Sequence, residues 1–159
     1  MRIKNSLVFL LMGILFFSCD KKRVFDEYHS VGSAWHKDST VTFQLPELDS
    51  TKKYDLFVNL RSNDNYPFNN LFLIVALELP NGFTKVDTLE YQMANPDGTL
   101  LGEGFTDIKE SKLFYKEKVK FRGKYKVSIK QAVRETGKVP GVEQLEGITD
   151  VGFRIENKE

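Results

Sequence analysis

Val151-Gly152-Phe153-Arg154-Ile155-Glu156, close to the C-terminus, alternates apolar side chains with glycine or charge at a period of two. Successive side chains of a strand point to opposite faces of a sheet, so Val151, Phe153 and Ile155 belong on a buried face and Arg154 in solvent. The same alternation recurs upstream at Val41, Phe43, Leu45 and at Tyr54, Leu56, Val58, Leu60, which read as two more half-buried strands. Residues 71–79 are nearly all apolar and lie between Pro67 and Pro80-Asn81-Gly82, a length and a setting that suit a central strand buried on both faces better than a helix. Residues 87–93 add a strand closed by Asn95-Pro96-Asp97-Gly98, where proline and glycine supply the fixed and the positive φ of a turn.

Arg122-Gly123-Lys124 reads as a three-residue hairpin loop with glycine in the left-handed position. Pairing Phe121 with Tyr125 would set Val119 opposite Val127 and gather Lys116, Lys118, Lys120, Lys126 and Lys130 on the other face, with Lys120 facing Lys126. Facing like charges cost up to about 1 kcal/mol, so this basic face is expected in solvent. Its functional reading is a dock for phosphate or an acidic protein; the favoured reading is a solvated face that discourages edge-to-edge aggregation. No amphipathic helix and no internal repeat interrupts the series. About seven or eight strands at this spacing predict an all-β fold, an antiparallel β-sandwich of the jelly-roll or immunoglobulin-like kind.

The chain of 159 residues suits one domain, and 41% hydrophobic with 28% charged residues is an ordinary globular composition. Thirteen Phe and six Tyr favour strands. Without Arg2 and Lys4 the balance of 23 basic and 22 acidic residues turns slightly negative, so overall charge gives no reason to expect a nucleic-acid partner. One cysteine excludes an internal disulfide.

That cysteine stands at an informative place. Arg2 and Lys4 precede the unbroken apolar run 7–17, then come Ser18 and Cys19. A membrane span needs roughly 20 apolar residues, so the run reads as a cleaved export signal over 1–18. Ser18 before Cys19 resembles a lipobox, in which the cysteine receives diacylglycerol and, after cleavage, an N-acyl group; Phe16 and Phe17 depart from its usual Leu and small residue. Each buried methylene contributes about 0.8 kcal/mol, enough for two or three acyl chains to hold a protein on its membrane. Residues 19–38, opening Asp20-Lys21-Lys22-Arg23, are expected to form a lipidated tether, and 39–159 the sandwich.

Chemistry is sparse. His29 and His36 lack metal-site spacing and read as surface residues, and no Gly-x-Ser-x-Gly elbow is present. Gly102-Glu103-Gly104 is too short for a phosphate loop, and Asp49, Asp64, Asp97 and Asp107 sit in turns without calcium-loop spacing. No enzymatic activity, metal or cofactor is expected beyond the covalent lipid on Cys19. Trp35, Tyr66, Tyr91 and Tyr115 could stack on a sugar but read mainly as core. The connection 61–71 concentrates hydrogen-bonding groups, and Arg61, Asn63, Tyr66 and Asn70, with Arg134, are the candidate binding residues.

The lipobox cysteine, Tyr66-Pro67 and Asn70-Leu71 within 61–71, Gly123-x-Tyr125, Gln131-Ala132-Val133-Arg134 and the run 147–155 together resemble the gliding-motility lipoprotein H family of the Bacteroidota. Val133 stands where that family often has Met. The resemblance covers nearly the whole chain. It implies a cell-envelope component of the gliding machinery linked to a protein secretion system. Joined to the anchor and the absence of a catalytic constellation, this gives the expectation of a non-enzymatic, membrane-anchored scaffold or assembly lipoprotein, at the outer membrane on a leaflet the sequence leaves open, with gliding or secretion proteins as partners. The alternative is a surface polysaccharide-binding module.

Overall fold

In a computed structural model of the chain, residues 20–158 are described. They form ten strands: β1 (Arg23–Ser30), β2 (Ala34–His36), β3 (Val41–Gln44), β4 (Lys53–Ser62), β5 (Asn70–Glu78), β6 (Thr84–Gln92), β7 (Lys109–Val119), β8 (Lys126–Gln131), β9 (Gln144–Glu146) and β10 (Ile148–Lys158). Two four-stranded sheets, ordered β1-β10-β4-β7 and β3-β8-β5-β6, pack face to face, and β2 pairs with β9 in a small third sheet. Every pairing is antiparallel and no helix occurs among the described residues, so the expected all-β sandwich is the fold.

Alternation dictates the core. Val151, Phe153 and Ile155 of β10, and Leu56, Val58 and Leu60 of β4, are all fully buried on one face of the first sheet. Phe43 of β3 and Leu71, Leu73 and Val75 of β5 meet them from the second sheet, equally buried. Phe153 joins the layers, with its ring 6.1 Å from that of Phe43 and 6.4 Å from that of Tyr115. β5 lies inside its sheet between β8 and β6, but it is not buried on both faces as its apolar run suggested: Phe72, Ile74 and Ala76 stay half-exposed on the outer side. A two-layer sandwich has nothing to cover that side.

Two expectations are corrected. Residues 20–38 of the expected tether 19–38 are not free: β1 pairs with β10 from Arg23↔Glu156 to Ser30↔Asp150, β2 pairs with β9, and Trp35 is fully buried. The sandwich therefore begins at Arg23 rather than at residue 39. The signal segment 1–18 and Cys19 lie outside the described residues.

The hairpin at 122–124 is also absent. β7 pairs with β4 and β8 with β5 and β3, so the chain crosses from one sheet to the other between Val119 and Lys126. Phe121 drops into the core on the way, its ring 5.8 Å from Tyr54 and 4.7 Å from Tyr125. A hairpin in a single sheet would leave that ring nothing to pack between. Lys118, at φ 54, starts the bend with its N–H donating to Asp55 Oδ1 at 3.0 Å.

Candidate functional site

The connection 63–69 between β4 and β5 is built mainly from its own amides. Asn63 N–H donates to the Gly147 carbonyl at 2.8 Å, and Asn63 Oδ1 accepts from Asn65 N at 3.0 Å. Tyr66 turns inward and is 6% exposed; its hydroxyl donates to the Asn70 carbonyl at 2.6 Å, and burial raises its pKa. Gly147 makes this possible. Its φ is 81, and a Cβ there would stand 2.1 Å from Tyr66 N, so no other residue fits without moving the turn.

Outside this wedge lies an open groove of about 810 Å³ lined by Phe68, Asn69, Asn70, Glu90, Gln92 and Asn95, among others. Asn70 Nδ2 donates to Glu90 Oε1 at 2.7 Å across its floor. The five candidate binding residues do not converge here. Asn70 lines the groove, Tyr66 is buried beside it and Asn63 holds the turn. Arg61 lies on the outer face of the first sheet, donating to Glu110 at 3.2 Å and stacked 4.1 Å over the Tyr28 ring. Arg134 borders a separate, more apolar groove of about 580 Å³ beside Phe72 and Ile74.

The expected five-lysine face is dismantled by the crossing between sheets. Lys116 pairs with Asp87 at 2.7 Å and holds its carboxyl below the usual range, while Lys118 approaches Glu117 at 3.7 Å. Lys126, in the other sheet, pairs with Glu78, and Lys130 sits half-buried one residue before the end of β8. Lys120 is exposed and does not face Lys126. Trp35 and Tyr115 are core residues, and Tyr91, pushed by burial up to about 12, donates its hydroxyl to the Phe114 carbonyl at 2.7 Å. These rings form no stacking platform.

An unexpected feature stands on the outer face of β10. Arg154, read from the alternation as solvated, is a half-buried hub that donates to Asp26 Oδ2 at 2.8 Å, to Glu156 Oε1 at 2.7 Å and to Asp20. Lys112 Nζ also reaches Glu156, at 2.5 Å. Burial pushes the Glu156 carboxyl up, but the hydrogen bonds from Lys112 and Arg154 prevail and leave it below 4.5. Because its folded pKa lies below the unfolded one, Glu156 adds stability above about pH 4.5, and that share is lost as pH falls through the folded value. Replacing Arg154 by Met leaves Asp26 and Glu156 poorly paired at a half-buried site and is expected to destabilise by about 1–3 kcal/mol. Urea unfolding at neutral pH checks this, and a loss under about 0.5 kcal/mol would show the hub to be an ordinary solvated surface.

Among the described residues no three His, Cys, Asp or Glu side chains gather as metal ligands. His29 instead stacks on Phe43 at 4.8 Å and bonds Glu27 at 2.7 Å. The surface carries an amide-lined groove, a small apolar groove and clustered charges.

Comparison with known proteins places the sequence. Among solved structures, part of a family GH115 4-O-methyl-alpha-glucuronidase is similar at a TM-score of 0.46 and 13% identity over 89% of this chain and 18% of that one, too slight a likeness to argue from. Gliding motility lipoprotein GldH of Flavobacterium johnsoniae is 83% identical over 159 residues, 100% of both chains. A GldH homolog of Christiangramia forsetii is 59% identical over 154 residues, 96% of this chain and 94% of its own. The family model described as GldH lipoprotein matches residues 23–155, from the first residue of β1 into β10, and the chain belongs to that family.

Proposed function

We propose that this protein is a lipid-anchored, non-enzymatic component of the bacterial gliding machinery, acting in the cell envelope as a scaffold or assembly factor connected to protein secretion. The observation that carries the reading is identity of 83% along the entire length of a relative named as a gliding motility lipoprotein. The sandwich is compatible with it, since its surface carries two grooves and clustered charges rather than a gathered set of catalytic groups among the described residues. In this reading Cys19 carries diacylglycerol and an N-acyl chain and holds the domain on the outer membrane.

Deleting the gene should abolish spreading over a surface, and the intact gene should restore it. Cys19→Ser should release the protein in soluble form or leave its signal uncleaved, because lipid transfer needs the thiol; fractionation with mass spectrometry checks this. Unchanged membrane association at unmodified mass would sink the anchor. Normal spreading in the deletion strain would sink the role in gliding.

The groove bordered by Asn69, Asn70, Glu90, Gln92 and Asn95 supports a second reading, a surface polysaccharide-binding module. Calorimetric titration with polysaccharides, with and without calcium, separates the two. No heat across the set removes the second reading and leaves the first intact.

A further inference from the structure

The described chain opens at Asp20, the residue after Cys19, and within three residues it is part of a sheet. Asp20 is held by Arg154, the Lys22 carbonyl accepts from Asn157 N at 2.8 Å, and Arg23 is in register with Glu156. Residues 20–23 are therefore fixed to one end of the sandwich. The same end receives the last residues of β10, the first of β4 and the last of β7, through Lys158↔Lys53 and Tyr54↔Val119. The crossing 120–125 closes it, with Phe121 against Tyr54 and Gly123 against Pro80.

This end is basic. Lys21, Lys22, Lys53, Lys120, Arg122 and Lys124 are all exposed there, and none makes an ion pair among the described residues. Most carboxylates at the same end are already matched: Asp20 with Arg154, Asp55 with Lys158, Glu78 with Lys126 and Glu117 with Lys118. Among the described residues, Glu47 and Asp49 on the loop before β4 are the remaining opposing charges. The loops of the opposite end carry Asp64, Asp97, Glu103 and Asp107, also exposed.

We infer that this basic end is a membrane-docking surface, which lies flat on the anionic phosphate headgroups of the leaflet that holds the anchor. The inference rests on the proposed lipid anchor at Cys19, since an acyl chain leaving the fold beside Asp20 brings this end, and not the acidic one, to the bilayer. Basic clusters next to an anchor are drawn to anionic lipid, and the attraction fades with salt within a Debye length. Lys120 and its neighbours thus find their acidic partner in a lipid surface and not in a protein.

The test uses the protein purified from membranes of its own cells, mixed with vesicles of pure phosphatidylcholine or with about a third phosphatidylglycerol. Lysines are acetylated briefly and read by mass spectrometry. On the anionic vesicles Lys53, Lys120 and Lys124 should react at least threefold more slowly than on the neutral ones, whereas Lys109 and Lys138 at the far end should not change. Half-molar salt, or Lys120→Glu with Lys124→Glu, should remove the protection. Protein that floats with both kinds of vesicle but labels equally on both overturns the docking surface while keeping the anchor. Protein that floats with anionic vesicles alone, with Cys19 unmodified, overturns the anchor and keeps the surface. Protein that floats with neither overturns both.

Discussion

Trp35→Ala is expected to destabilise the protein by about 3–5 kcal/mol, a large part of the roughly 5–15 kcal/mol that holds an ordinary domain together. The indole is fully buried on β2, its Nε1 donates to the Ser39 carbonyl at 3.1 Å, and its backbone lies in register with Leu145 of β9, itself fully buried. Removing it opens a cavity and leaves the three-residue pair β2-β9 without its main side chain. Urea unfolding followed by tyrosine fluorescence measures the loss, since Trp35 is the one tryptophan of the sequence. A residue on a solvated tether would give almost no change, so the same measurement decides whether the sandwich includes its N-terminal strands.

Phe153→Ala should cost a similar amount, about 3–5 kcal/mol, because its ring touches both layers through Phe43 and Tyr115 and cannot be replaced from one side. Together with the Arg154 variant it gives an ordered pair of effects along β10: large where the alternation points inward, intermediate at the hub. If the two variants unfolded at the same denaturant concentration, the burial pattern of β10 would not describe the folded protein.

The strands that the sequence makes plain are those in which a local period of two coincides with one buried face, as at Val41 to Leu45, Tyr54 to Leu60 and Val151 to Ile155. Which sheet each strand joins is a matter of distant pairing, and nothing local records it. The glycine at 123 announces a bend, yet a bend within a sheet and one between sheets look alike until the destination of Phe121 is known. β1 gives no such signal, being an edge strand whose residues are all half-buried or exposed, which blurs the alternation. The Arg154 hub was hidden for a related reason: its partners Asp20 and Asp26 lie more than a hundred positions away. In the candidate site, Asn70 was legible from the density of amides around it, whereas the separation of Arg61 and Arg134 depends on the outer faces of different sheets.

The early start of β1 also sets a height. Residues 20–22 reach about 10 Å when extended, whereas a slack leash of the length 20–38 would wander over roughly 24 Å. With the basic end on the bilayer, β10 stands as an upright of 11 residues, or roughly 36 Å, and carries the loops 63–69 and 93–108 at its top. A partner that grips those loops meets them at a set distance from the lipid. A sideways pull there passes down hydrogen-bonded strands to the membrane as it would through a post, with no slack to take up first.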